Sequence, residues 1–368
     1  MVSTSNKTTD LTGVRVLMLA PCLGKFGGIE TFCLTLIEDL ILKGASVRLL
    51  RKKVTGFQDD RSIKKNECEI RATLTSECDS RFKSDFVNPR DPKIKQAIKE
   101  SDLVHLHNPM LEGIWWAKKA GLPCVMTIYN WRRKGLKPRL LAWNWAVAQA
   151  DRRWYISEFV WDSWEKKRRA GSDRLPVVSR MPKGTIPLQQ RSGFLFIGRW
   201  VAKKGIRILL EAYRRISPDP NIWPLFLVGD GPLSQEIKKE IAGKNIRGVK
   251  ILGFVSENER QQLTKKAKWM VTPPHTNEDL GLTPLEARSV GVPCIASSDG
   301  GIKETAGPYA LFCKPGDIES LTACLRQAME MSEEEYALRS HLAKKGLCNY
   351  VRPLDEYAKA YLKLLKER

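Results

Sequence analysis

The chain has 368 residues, enough for two α/β domains with separate cores, and it contains no run of eighteen apolar residues that would cross a bilayer. Its 62 lysines and arginines outnumber 41 aspartates and glutamates, and the formal charge of +21 makes the surface attractive to nucleic acid, anionic lipid or phosphorylated substrates. No zinc finger, RRM signature or basic zipper accompanies that charge, and nine singly placed cysteines with four histidines argue for reduced, buried thiols rather than a metal site. The opening MVSTSNKTTD lacks the charged-then-apolar plan of a secretory signal, so the expected location is cytoplasmic.

From Val14 to Leu19 the run VRVLML reads as a strand buried on both faces. A glycine-rich bend over Gly24 to Gly28 follows. Ile29, Phe32, Cys33, Leu36, Ile37, Leu40 and Ile41 then recur at spacings of three and four up to Gly44, the pattern of an amphipathic helix on a sheet. Strands SVRLL (46–50), LVHLH (103–107), CVMTI (124–128) and RRWYI (152–156) continue the series, while residues 55–95 are charged and show no pattern.

Over 175–192 the chain is rich in Pro, Gly and Arg without periodicity, as in an interdomain connection. A second series follows: FLFIG (194–198), PLFLVG (224–229), VKILG (249–253), WMVT (269–272), PCIAS (293–297) and YALF (309–312), with Ser256 and Glu259 forming a capping box before RQQLTKKAK. Strands alternating with helices imply parallel pairing. The predicted fold class is α/β, with two Rossmann-like doubly wound domains over 1–182 and 183–350 and a last helix in 351–368 returning to the N-terminal one.

The stretch NEDLGLTPLEARSVGVPCIASSDGG (277–301) holds the densest chemistry. Glu278 and Glu286 are separated by seven residues, with Gly281 between them and Pro284 where a first helical turn tolerates it, so a helix is expected to start near Leu282. Amides near Gly281, Leu282 and Thr283 would then seat a phosphate, with a carboxylate on each side able to accept hydrogen bonds from sugar hydroxyls. Two surface glutamates drawn to a helix start by its dipole would share the same spacing.

Arg199 follows the 194–198 strand and Lys204 precedes a glycine and an amphipathic helix, so the two cations can converge on one pyrophosphate or stand as a solvated pair. LVGDGPLSQEI (227–237) is a strand ending in a sharp turn, where parallel sheets bind ligands. Gly28 lies in Gly27-Gly28-Ile29-Glu30 at a strand-to-helix bend that lacks the Gly-x-Gly-x-x-Gly spacing of dinucleotide sites, which argues against hydride transfer.

These pieces, in this order, resemble family 4 of the retaining glycosyltransferases, the group 1 family of the GT-B fold, in which two such domains face across a cleft. The likeness is strongest over 194–312 and weaker over 13–50 and 101–160. It implies that Glu278 holds hydroxyls of the transferred sugar and Glu286 the ribose, that Arg199 and Lys204 take the diphosphate with the amides around Leu282 and Thr283, and that Gly28 lies near the diphosphate. Of these, Glu278, Arg199 and Lys204 carry the catalytic role. It further implies retention of configuration by front-face attack. Where the family commonly has Thr-Leu-His-Asp, this chain reads Thr127-Ile128-Tyr129-Asn130, so Tyr129 would replace a histidine as a sugar partner, with Asn130 and His107 on the acceptor side. His105 and His107 alternate along LVHLH and share one sheet face, either lining the site or packing as satisfied core histidines.

The chain has no Asp-x-Asp pair, so no metal is expected to bridge the diphosphate, which leaves cations and the helix end to stabilise it. Between 131 and 169, six tryptophans, among them Trp131, Trp145 and Trp164, interleave with cations such as Arg133, Lys137 and Arg139, a composition that suits an anionic bilayer interface and also suits sugar or single-stranded nucleic acid. The expected function is thus a retaining, metal-independent transferase. It would move a hexose or N-acetylhexosamine from a UDP- or GDP-linked donor to a lipid-linked saccharide in polysaccharide or glycolipid assembly, peripherally on the inner face of a membrane. A non-catalytic nucleotide-sugar-binding protein of the same fold and a basic nucleic-acid-binding protein are the competing readings.

Overall fold

The computed structural model describes residues 9–21, 28–52, 80–88, 90–133, 135, 137–175, 181–348 and 350–367. It divides into two compact units, Met1–Ser179 with Arg352–Arg368, and Arg180–Val351. The expected α/β class with two doubly wound parallel sheets is what the structure has.

The first unit holds a seven-stranded, all-parallel sheet in the order β3-β2-β1-β4-β5-β6-β7: β1 (Arg15–Ala20), β2 (Ser46–Lys52), β3 (Phe82–Val87), β4 (Leu103–His107), β5 (Cys124–Ile128), β6 (Arg152–Tyr155) and β7 (Ser172–Arg174). Its helices are α1 (Gly28–Leu42), α2 (Pro92–Lys99), α3 (Leu111–Lys119), α4 (Pro138–Gln149), α5 (Glu158–Trp164) and, from the chain's end, α13 (Asp355–Lys366). Phe32, Cys33, Leu36, Ile37, Leu40 and Ile41 of α1 are all fully buried, as the three-and-four spacing requires.

One element, β3, falls inside the stretch that showed no pattern, and α2 begins in it. β3, FKSDFV, is an edge strand with four half-buried or exposed positions, so its composition is too polar to read as a strand. In α2, Asp91 caps by accepting from the Lys93 amide, Pro92 stands in the first turn, and Ile94, Ala97 and Ile98 are buried at helical spacing.

The second unit holds a six-stranded parallel sheet in the order β10-β9-β8-β11-β12-β13: β8 (Ser192–Ile197), β9 (Leu225–Val228), β10 (Val249–Gly253), β11 (Ala267–Thr272), β12 (Cys294–Ser297) and β13 (Leu311–Cys313). Its helices are α6 (Ile206–Ile216), α7 (Ser234–Gly243), α8 (Glu257–Lys266), α9 (Leu282–Ser289), α10 (Ile302–Ala306), α11 (Ile318–Glu330) and α12 (Glu333–Cys348). Successive strand residues point to opposite faces and feed two cores. Phe194, Phe196, Trp269 and Val271 pack with Leu209, Leu210, Leu321 and Leu325 on one side, while Leu195 and Met270 pack with Ala287 and Val290 on the other. The Ser256 cap forms, its hydroxyl accepting from the Glu259 amide at 3.2 Å.

Strand order places the chemistry. In this sheet the chain runs outward from β8 through β9 to β10, then resumes on the other side of β8 with β11. The carboxyl ends of β8 and β11 therefore flank the topological switch point, where open parallel sheets bind ligands because the two following connections diverge.

Candidate functional site

The loop leaving β8 carries Arg199, which is exposed, and a short turn over Ala202–Lys204 that ends at Gly205. Gly205 has φ 75°, and a Cβ there would lie 1.9 Å from the Pro273 carbonyl oxygen, so only glycine lets this loop press against the segment after β11. The His275 amide adds a 3.3 Å bond to the Lys203 carbonyl. Held this close, Lys204 Nζ meets Glu278 Oε2 at 2.8 Å, with the two side chains 29% and 18% exposed.

The Glu278 loop is clamped from beneath. Asp299, 6% exposed, accepts from the Asn277 amide at 2.9 Å and the Glu278 amide at 2.8 Å, and the Gly301 amide donates to the Glu278 carbonyl at 2.8 Å. Gly300, at φ 47°, would put a Cβ 2.2 Å from that same carbonyl oxygen. Thr305 donates to the Leu280 carbonyl at 3.0 Å, holding the last turn before α9.

Helix α9 begins at Leu282 as its Pro284 implied, with Gly281 at the N-cap and no side-chain cap. Its first-turn amides at Leu282 and Thr283 are thus available to an anion. Glu286, one turn further on and 4% exposed, is ion-paired to Arg260 of α8, which also bonds Glu257 at 2.6 Å. The pairings keep the Arg260 guanidinium above its ordinary range despite burial, which opposes it. Lys204 and Glu278 therefore meet directly, beside the helix start formed by Gly281, Leu282 and Thr283, while Glu286 already has one cationic partner.

In the first unit Gly28 is the first residue of α1, and the remainder of the glycine-rich bend lies outside the described residues. His107 and Tyr129, expected on the sugar or acceptor side, are both core residues in the structure. His107 is 0% and Tyr129 3% exposed, and the Tyr129 hydroxyl lies 2.6 Å from His107 Nδ1. His105 is enclosed by Thr127 Oγ1 at 2.8 Å and by the Tyr361 hydroxyl of α13 at 2.6 Å. Burial holds the His107 imidazole down to about 3 and pushes the Tyr129 phenol well above its ordinary range, so neither titrates near neutrality. Asn130 is exposed, its side-chain oxygen accepting from Asn108 at 3.0 Å.

Four residues of these loops were not singled out from sequence. Asp299 lies in the quoted 277–301 stretch, and its Asp-Gly-Gly turn after a strand was the available signal. Asn108, at φ 70°, accepts from the Tyr129 amide at 2.9 Å and orders the segment leading to Asn130. Arg260 sits mid-helix with no local mark. His275 has a buried Nδ1 without a hydrogen-bond partner among the described residues.

The tryptophans divide. Trp154 and Trp161 are 4% and 8% exposed: Trp154 packs edge-on to Tyr357 of α13, and Trp161 stacks on Tyr155 and donates to Glu165 at 2.9 Å. Trp145 is 40% exposed. Among the described residues, no three His, Cys, Asp or Glu side chains converge as metal ligands, and no helix is long and apolar enough to cross a membrane.

Two parallel α/β sheets, each with its own switch point, define a pair of doubly wound, Rossmann-like units. Comparison with known proteins agrees. Residues 185–346 match the family model for glycosyl transferases group 1, and residues 26–181 match that for glycosyltransferase family 4. The chain belongs to the group 1, family 4 glycosyltransferases of the GT-B fold. It is 28% identical over 173 residues to O-antigen chain mannosyltransferase B of Escherichia coli (45% of this chain, 44% of that protein) and 30% identical over 161 residues to D-rhamnosyltransferase WbpZ of Pseudomonas aeruginosa (43% and 40%). The matched stretch thus spans less than half of either relative. In structure it is similar to Anabaena HepE in complex with UDP, at TM-score 0.72 and 16% identity, covering 96% of this chain and 100% of that one.

Proposed function

We propose that this chain is a glycosyltransferase that moves a hexose or N-acetylhexosamine from a UDP- or GDP-linked donor to a saccharide acceptor, lipid-linked, in polysaccharide or glycolipid assembly. The observation that carries the reading is the Lys204–Glu278 contact at the uncapped start of α9, built from the two loops that flank the switch point. On this reading Lys204, Arg199 and the amides of Leu282 and Thr283 hold the diphosphate; Glu278 accepts from sugar hydroxyls. Glu286 accepts from the ribose while Arg260 balances its charge.

The reaction is proposed to proceed with retention and without metal. The bond from the sugar's anomeric carbon to the leaving phosphate oxygen breaks, the acceptor oxygen bonds on the same face, and the acceptor proton passes to that phosphate oxygen. Lys204 and the helix end stabilise the charge that develops there. The mannosyl and rhamnosyl transfer named for the two relatives and the UDP bound in HepE support this donor class.

The test is thermal unfolding with UDP, GDP and their sugars, since a ligand at a hundred times its Kd stabilises by about 2.7 kcal/mol. Transfer with and without EDTA and the anomeric configuration of the product address metal and stereochemistry. If no nucleoside diphosphate raises the melting temperature, the reading fails.

A further inference from the structure

From Gly113 to Ala150 the chain contains no aspartate or glutamate, while Lys118, Lys119, Arg132, Arg133, Lys134, Lys137 and Arg139 all fall there. In a protein with 41 acidic residues, such a gap concentrates cations along the segments it covers. Helix α4 lies wholly within the gap and α3 does so from its third residue, Glu112 standing just before it; the two helices pack on one another and carry apolar exposure. Trp115 of α3 is 56%, and Leu141 and Trp145 of α4 are 53% and 40% exposed. Leu141 and Trp145 are four apart and share a helix face, and Trp115 meets Trp145 across the two helices with ring centroids 6.2 Å apart. Folding thus assembles three large apolar side chains from two helices into one solvent-facing cluster, although α4 buries only Ala146 and Val147.

Exposed cations border it. Lys119, Arg133, Lys137 and Arg139 are exposed, and none of the four is paired with a carboxylate among the described residues. Arg139 lies over the Trp143 ring at 4.3 Å, keeping its charge at the surface. Lys118 is satisfied by Asp151 at 2.6 Å.

We propose that the α3–α4 face of the first unit docks on an anionic lipid bilayer, with Trp115, Leu141 and Trp145 entering the interface and Arg133, Lys137 and Arg139 meeting headgroup phosphates. Indole rings favour the headgroup level because one edge is polar and the body apolar. Cations beside them gain from the negative surface potential, within a Debye length. A duplex or single strand of nucleic acid would use the same charges, but it gives no reason for an exposed Leu141 beside the indoles. This placement deepens the proposed use of a lipid-linked acceptor and rests on that reading.

The test is co-sedimentation of the full chain with vesicles of phosphatidylglycerol and phosphatidylcholine, or of phosphatidylcholine alone. The wild type is expected on the anionic vesicles only, with binding weakened by salt. Trp115→Ala with Trp145→Ala should lower the partition coefficient about tenfold or more. Lys137→Glu with Arg139→Glu should abolish it, with unchanged far-UV dichroism and unchanged stabilisation by the preferred nucleoside diphosphate. Absence of wild-type binding, binding that neither double variant weakens, or equal affinity for neutral vesicles would overturn the proposal, as would single-stranded DNA removing the protein from vesicles while the tryptophan variant behaves as wild type. Nucleotide stabilisation is read on the same samples without lipid, so a failed donor site and a failed docking face give different results.

Discussion

Replacing Lys204 and Glu278 one at a time should move nucleotide affinity in opposite directions. Without donor, the Lys204 ammonium is occupied by the Glu278 carboxylate at 2.8 Å. On the proposed reading a diphosphate takes over that cation, so Glu278 would compete with it for Lys204 while accepting from the sugar. Lys204→Ala removes a charge-assisted bond to phosphate, about 1.5–3 kcal/mol, and should weaken UDP or GDP binding roughly 10- to 150-fold. Glu278→Ala releases Lys204 from a partly exposed ion pair that is worth up to about 1 kcal/mol, so the nucleoside diphosphate should bind equally well or up to about fivefold more tightly. The same variant should lose the extra affinity that the sugar contributes, and lose transfer by about a hundredfold or more, because carboxylate contacts to sugar hydroxyls have no substitute there. Calorimetric titration of both variants with the diphosphate and its sugar form separates the two effects. If Glu278→Ala weakened the bare diphosphate as much as Lys204→Ala does, the shared-cation reasoning would be refuted.

Three other expectations follow from the same geometry. Asp299→Ala leaves the Asn277 and Glu278 amides without their acceptor; unfolding in urea should show a loss of about 2–4 kcal/mol in the second unit, and transfer should fall further than nucleotide binding. Gly205→Ala forces a Cβ against the Pro273 carbonyl at positive φ, so the melting temperature should drop by several degrees with weakened diphosphate binding, whereas alanine at the open, helical Gly243 should raise the melting temperature slightly and leave binding unchanged. His107 stays neutral in the folded chain down to about 3 but takes a proton near 6.5 when unfolded, so the unfolded state binds more protons below that pH. His107 should therefore contribute a fall of about 1.4 kcal/mol for each unit of acidification between roughly 6.5 and 3, to which buried His105 adds in the same direction, and His107→Gln should lessen the slope in urea titrations taken at several pH values.

The second sheet was legible almost strand by strand because its members read as short apolar runs between turns, and the central ones, β8, β9, β11 and β12, are largely buried on both faces. Ser256, Pro284 and the 29–41 periodicity were legible for the same kind of reason, since caps, first-turn prolines and amphipathic stripes act within a few residues. β7, Ser-Asp-Arg at a sheet edge, and the polar β3 carry no such signal, because an edge strand needs apolar residues on one face at most.

By itself the sequence determined the alternation of strands and helices, the helix start at Leu282 and the residue types available for a sugar diphosphate, all through interactions spanning a turn or two. Only the tertiary structure decided which of them meet. Lys204 finds Glu278 across 74 positions and Arg260 finds Glu286 across 26, because crossover connections lay β8 beside β11 and α8 beside α9. His105 finds Tyr361 across 256 positions, so of the two readings open for that face of LVHLH, the packed one holds where α13 covers it. Local periodicity carries no information about such pairings, which the order of strands and the return of the chain's end impose.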